Sequence, residues 1–265
     1  MSFKPRFVAV DLDGTVLLDG RIGERTLAVF ASLRARGLVI LVATGRPRRS
    51  TLPWAAKLGA VSGLVCHNGA AVYDAAGALL SEVTIEDGTA RRLVALARGI
   101  PQHFHGFIGD EWYYETPREG TARYEGRSGF PGRRVDFSSM ERLGFHKTMF
   151  VATEPEVPAL VEAVSDSLGP ALEIYPTGSG FVELVAPGIS KGRSLARLVE
   201  SLGGRMEEVL AFGDAWNDLD MLRMAGAGVA MGNAPEPMRA QLSLVAPPAS
   251  EEGVALWLEE NLAWA

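Results

Sequence analysis

The chain has 265 residues, is 47% hydrophobic and carries a formal net charge of −6. That apolar content supports a packed core and argues against disorder, and the acidic balance argues against a nucleic-acid partner, which needs a basic face. The lone cysteine, Cys66, excludes an intrachain disulfide, and no apolar stretch reaches the roughly 18 residues of a membrane span. With no secretory signal ahead of Asp11 either, the expectation is a cytoplasmic protein with no membrane partner.

The first predicted element is Val8–Val10, an apolar run read as a strand buried on both faces. The segment DLDGT, Asp11 to Thr15, comes immediately after it. Residues two apart on a strand share a face, so Asp11 and Asp13 point one way and Leu12 the other. Gly14 permits a sharp turn, and Thr15 can hydrogen-bond locally. Adjacent carboxylates repel unless a cation sits between them or one keeps its proton. A divalent cation offsets that cost, and Mg²⁺ prefers carboxylate oxygen.

A helix is predicted over Thr26–Arg36, ended by Gly37, and a strand over Leu38–Val42. The strand runs into Thr44, Gly45 and Arg46. A hydroxyl and exposed N–H groups ahead of a helix can hold an anion, although Thr44 as a simple helix cap would use the same residues. Gly63–Cys66 reads as the next strand.

Residues 84–184 break this rhythm. Helical stretches (Arg91–Arg98, Val157–Leu168) mix with aromatic β-rich ones, and Glu111–Thr116 reads as an exposed or half-buried strand. The expectation is an inserted α/β domain over 84–184, splitting a core made of 1–83 and 185–265. His103 and His105, two apart, would share a strand face there, at the surface or lining a pocket.

The core resumes with Lys191 ahead of a helix predicted over Ser194–Leu202. A lysine there opposes the helix dipole, so an anion to neutralise would explain it. The strand Val209–Phe212 then ends in GDAWND, with Asp214, Asn217, Asp218 and Asp220 near a helix start over Asp218–Ala225. Helix capping accounts for part of this cluster, and metal binding by Asp214, with Asp218 in support, accounts for the rest. Gly228–Met231 reads as a further core strand. Alternating strands and helices predict a doubly wound α/β fold with a parallel sheet, whose ligands bind beyond the carboxyl ends of the strands.

Asp11-Leu12-Asp13-Gly14-Thr15, Thr44-Gly45-Arg46, Lys191 and Gly213-Asp214 with Asn217-Asp218 resemble, in this order, the four motifs of the haloacid dehalogenase (HAD) superfamily. CHNGA at Cys66–Ala70 and GISKG at Gly188–Gly192 are similar to its Cof-type phosphatases. The resemblance implies a Rossmann-like parallel-sheet core with an inserted α/β cap of the C2B type. It implies a Mg²⁺-dependent phosphatase acting on small phosphorylated metabolites such as sugar phosphates. Asp11 would be the nucleophile and Asp13 the acid and base. Thr44, Gly45, Lys191 and Asn217 would bind phosphate. Asp11, Asp13, Asp214 and Asp218 would serve the metal. Arg46 and Asn68 would lie on the substrate side. Asp13 sets a phosphatase above a dehalogenase, because halide leaves without a proton. A phosphomutase or a non-catalytic phospho-ligand sensor on the same scaffold stays open. Trp216 stands where the resembling proteins carry a small or polar residue.

Overall fold

The computed structural model describes residues 3–59, 61–176 and 180–262. The chain forms two compact units, Met1–Ser81 with Ser190–Ala265, and Glu82–Ile189. In chain order it runs through β1 (Phe7–Val10), α1 (Glu24–Ala35), β2 (Val39–Ala43), α2 (Arg48–Leu58), β3 (Gly63–Cys66), β4 (Ala71–Asp74) and β5 (Leu79–Glu82). The second unit carries α3 (Asp87–Arg98), β6 (His103–Ile108), β7 (Glu111–Tyr114), α4 (Glu119–Ser128) and β8 (Arg133–Arg134). It continues with β9 (Lys147–Val151), α5 (Val157–Leu168), β10 (Glu173–Pro176) and β11 (Phe181–Val185). The first unit is completed by α6 (Lys191–Ser201), β12 (Val209–Gly213), α7 (Leu219–Met224), β13 (Ala227–Met231), α8 (Glu236–Arg239), β14 (Leu244–Ala246) and α9 (Gly253–Asn261).

Among the described residues the first unit's sheet is ordered β14-β13-β12-β1-β2-β3-β4-β5. The strands from β14 to β3 are parallel, and β4 returns antiparallel to β3. This is the α/β class with a parallel core that the sequence pattern predicts. β1 lies between β12 and β2, and all four of its residues are fully buried. Strand alternation sends its side chains into two cores. Val8 and Val10 pack with Phe30, Leu33, Leu58 and Leu258 on one face. Phe7 and Ala9 pack with Leu195, Leu198, Met221 and Met238 on the other. Each such large apolar side chain contributes about 1.5–3 kcal/mol by leaving water, so β1 is a rigid mount for the DLDGT turn.

The helix α6 starts three residues earlier than its apolar spacing predicts. Ser190 is the reason: its side chain accepts from the Arg193 N–H at 3.3 Å and caps the helix, so Lys191 and Gly192 fall inside the first turn.

In the second unit the sheet order is β10-β11-β9-β6-β7-β8, antiparallel except for the β7–β8 pair. One face carries Phe104, Phe150, Val182 and Leu184, which pack with Leu93 of α3 and Leu160 of α5. The other carries Phe107, Trp112, Met149 and Phe181, packed with Tyr124 of α4. Trp112 is therefore fully buried while Glu111, Tyr113 and Tyr114 stay partly exposed, which is the half-buried strand that the sequence suggested. His103 and His105 do share a face of β6, but not at the surface: they are 1% and 0% exposed. The His105 ring lies 4.2 Å from the Tyr124 ring and 4.9 Å from the Trp112 ring. Aromatic neighbours across the strands, too distant in sequence to read as one cluster, cover both histidines. No helix among the described residues is long and apolar enough to cross a membrane.

Burial sets the charge state of these histidines. It pushes His105 well below the ordinary histidine range, helped by nearby His103 and Lys147. It lowers His103 to about 4, helped by Arg118. The unfolded chain takes up both protons near pH 6.5 while the folded unit refuses them. Both groups are neutral in either state above that pH, so stability is unaffected there and falls as pH drops from 6.5 toward the folded values. His103, held near 4, costs about 2 kcal/mol at pH 5 by refusing its proton. His105→Phe should therefore lose less stability than the parent between pH 7 and pH 5 in denaturant unfolding. Identical losses would refute this account.

Candidate active site

Parallel strands leave their carboxyl ends on one edge of the sheet, and the chemistry-bearing residues lie just past those ends. Asp11 comes after β1, Thr44 after β2, Asn68 after β3 and Asp214 after β12. The chain leaves β1 for β2 on one side and later adds β12 on the other, so β1 and β12 flank the topological switch point where α/β sheets bind ligands.

Asp11 continues the parity of Phe7 and Ala9, which places it on the α6 side of the sheet. There the Lys191 ammonium donates to Asp11 Oδ1 at 2.9 Å and to Asp218 Oδ1 at 2.6 Å. Asp218 is fully buried, and its Oδ2 accepts from the N–H groups of Asp214 and Ala215, both at 3.0 Å. One aspartate thus fixes the lysine and closes the turn that carries Asp214. Asp214 Oδ1 accepts from the Thr15 hydroxyl at 2.9 Å, tying that turn to the DLDGT segment. Gly14 is required there. Its φ is +80°, and a Cβ on it would stand 2.3 Å from Asp214 Oδ2.

Asp11 and Asp13 do not face each other across one strand surface, because β1 ends at Val10. Three successive N–H groups, of Thr15, Val16 and Leu17, donate to the Leu12 carbonyl and turn the chain. Asp11 goes to Lys191, whereas Asp13 pairs with Arg46. Thr44 is 1% exposed, and its hydroxyl accepts from the Arg46 N–H at 3.2 Å, across Gly45. The Asn217 amide donates to Asn68 Oδ1 at 3.0 Å. Trp216, beside them in sequence, is 40% exposed.

Asn233 is a residue that the sequence pattern did not single out. Its amide donates to the Gly14 carbonyl at 2.9 Å and lies 3.4 Å from Asp214 Oδ2, while its own carbonyl oxygen accepts from the Ala249 N–H at 2.9 Å. A signal was present: Asn233 stands two residues past the end of β13, on the ligand-bearing edge.

The electrostatics are unbalanced. Carboxylate oxygens of Asp11, Asp214 and Asp218 lie within 4.8 Å of one another, and one ammonium serves them. Burial pushes Asp11 well above the usual carboxylate range; Lys191 opposes this and the neighbouring aspartates add to it. Burial and the Asp218 charge raise Asp214 to about 7. Burial works against the Lys191 charge, but Asp11 and Asp218 hold the ammonium well above the usual lysine range. Excess negative charge on hard oxygen donors fits a divalent cation such as Mg²⁺.

Comparison with known proteins agrees with this arrangement. Residues 8–258 match the family model of the haloacid dehalogenase-like hydrolases. An HMP-PP phosphatase of Serratia proteamaculans is 32% identical, with 86% of this chain and 84% of that one covered. An HMP-PP phosphatase of Escherichia coli is 31% identical, with 89% and 88% covered. Among solved structures, a haloacid dehalogenase-like hydrolase from Bacteroides thetaiotaomicron has a TM-score of 0.85 at 27% identity, covering 97% of this chain and 99% of that one. From the motif order, the strand-end cluster and a family match across nearly its whole length, the chain belongs to the haloacid dehalogenase-like hydrolases, among their Cof-type phosphatases.

Proposed function

We propose that the protein is a Mg²⁺-dependent phosphatase that hydrolyses small phosphorylated metabolites, sugar phosphates or similar, through a covalent phosphate ester of Asp11. The observation that carries the reading is the cluster of Asp11, Asp214 and Asp218 around Lys191 at the switch point of the sheet. The phosphatases among its relatives support the same class of substrate.

In the first half-reaction an Asp11 carboxylate oxygen attacks phosphorus, and the bond from phosphorus to the leaving oxygen breaks. Asp13 gives its proton to that oxygen, which departs as an alcohol. In the second half a water attacks the same phosphorus and Asp13 takes its proton. The bond from phosphorus to Asp11 breaks, which frees inorganic phosphate and restores the carboxylate. Lys191, Thr44 and the N–H groups near Gly45 would hold the phosphoryl oxygens, and Asn217 would support them. Asp11, the Asp13 carbonyl and Asp214 would hold Mg²⁺. Asp218, whose oxygens are already engaged by Lys191 and two N–H groups, would act on the metal shell through them. When bound, the metal would supply positive charge against the phosphoryl oxygens and the attacking carboxylate. The second unit would serve as a cap of the C2B type.

An aryl phosphate assay with and without EDTA tests the reading, and no metal-dependent turnover at any pH would sink it. Asp11→Asn should abolish turnover while circular dichroism stays unchanged; near-full activity would remove Asp11 as nucleophile. Asp13→Asn should slow alkyl phosphates by about 10²-fold or more and aryl phosphates far less, since only the alkyl leaving oxygen needs a proton. Equal losses would argue against the acid role.

A further inference from the structure

The family resemblance implies a substrate-side place for Arg46, and its guanidinium lies against Asp13. Nε donates to Oδ2 and Nη2 to Oδ1, both at 2.6 Å. A two-pronged contact of this kind fixes the plane of a carboxylate as well as its position, which a lysine, as a point charge, does not do. Asp13 needs such a partner because it stands past the end of β1, on a turn, with its side chain one-third exposed.

Arg46 is itself held at both backbone groups. Its N–H donates to the Thr44 hydroxyl at 3.2 Å, and its carbonyl accepts from the His67 N–H at 3.1 Å. The Asn68 N–H donates to the Thr44 carbonyl at 3.1 Å. The segment that provides these donors is sharply bent. His67 and Asn68 have φ of 51° and 58°, Gly69 has 106°, and all three are buried. Left-handed backbone at two successive non-glycine residues persists only where the surroundings enforce it. They do so here through the Asn217–Asn68 bond and through the Ser194 hydroxyl, which donates to the Gly69 carbonyl at 2.7 Å.

We infer that Arg46 is a positioning residue, whose guanidinium sets the orientation from which Asp13 delivers its proton to the leaving oxygen. The inference rests on the reading of Asp13 as the proton carrier. It differs from a substrate contact, which would act on binding, and from a structural ion pair, which would act on every substrate alike.

The test compares the parent, Arg46→Ala, Arg46→Lys, Asp13→Asn and the Ala/Asn double variant on p-nitrophenyl phosphate and on glycerol phosphate with Mg²⁺. Arg46→Ala should lower kcat for the alkyl ester by at least about tenfold, change the aryl ester less than about threefold, and leave KM within a factor of about three. Arg46→Lys should be as slow on the alkyl ester as Arg46→Ala, because charge without the fork does not orient the carboxylate. In the Asp13→Asn background, Arg46→Ala should have no further effect on the alkyl ester. Equal loss on both esters, full restoration by lysine, additive losses in the double variant, or a change in KM alone would each overturn the inference. An inactive parent would mark failure of the underlying phosphatase reading instead, and an Asp13→Asn variant that loses equally on both esters would mark failure of the acid role of Asp13 on which the inference rests.

Discussion

Lys191 is 1% exposed at the first turn of a helix, a place where both burial and the helix dipole oppose a positive charge. It is tolerated because Asp11 and Asp218 accept from it at 2.9 and 2.6 Å. The rest of the site depends on this arrangement. Asp218 can take the ammonium only from the turn that also presents Asp214, and Asp11 can reach it only from the α6 side of β1. Removing one member of a buried ionic cluster typically costs about 3–5 kcal/mol, because the others are left without compensation. Even with the lysine in place the carboxylates outnumber it, and that remaining negative charge makes the cluster attractive to a cation.

The frame that holds these groups is apolar and parallel. β1 is paired on both sides and sealed on both faces, so the residues after Val10 start from a fixed point. Neighbouring strand ends then supply Thr44, Asn68 and Asp214 from far apart in sequence. The second unit is built on different terms. Its sheet is mostly antiparallel, it has its own two cores, and its buried polar groups include histidines among aromatic rings and the Lys147–Glu183 ion pair. The described residues that carry the candidate chemistry belong to the first unit.

Much of the first unit is legible in the sequence because its strands are short uninterrupted apolar runs, each leading into a polar residue at the ligand-bearing edge. Gly63–Cys66 is reproduced to the residue, and the other four predicted strands are each displaced by one residue at one or both ends, whereas β4, β5 and β14 lie outside that reading. The departures have local causes. Gly192 hides the true start of α6, because the Ser190 cap outweighs the poor helix propensity of a single glycine. The histidines of β6 read as surface or pocket-lining positions because their aromatic cover comes from β7 and α4, which no local window on β6 contains.

The amino-acid sequence alone determined the α/β class, the family and the identity of the acidic and basic groups, since each of these is written in short apolar runs and in residues adjacent along the chain. Only the tertiary structure decided which cation each carboxylate receives. Asp11 and Asp13 are two residues apart, yet one goes to Lys191 and the other to Arg46. That partition depends on where β1 ends, on the turn through Gly14, and on two loops brought to the same sheet edge by parallel pairing. Contacts between segments separated by 33 and 180 residues are set by packing and hydrogen bonding of the whole unit, and nothing in the local pattern at either end specifies them.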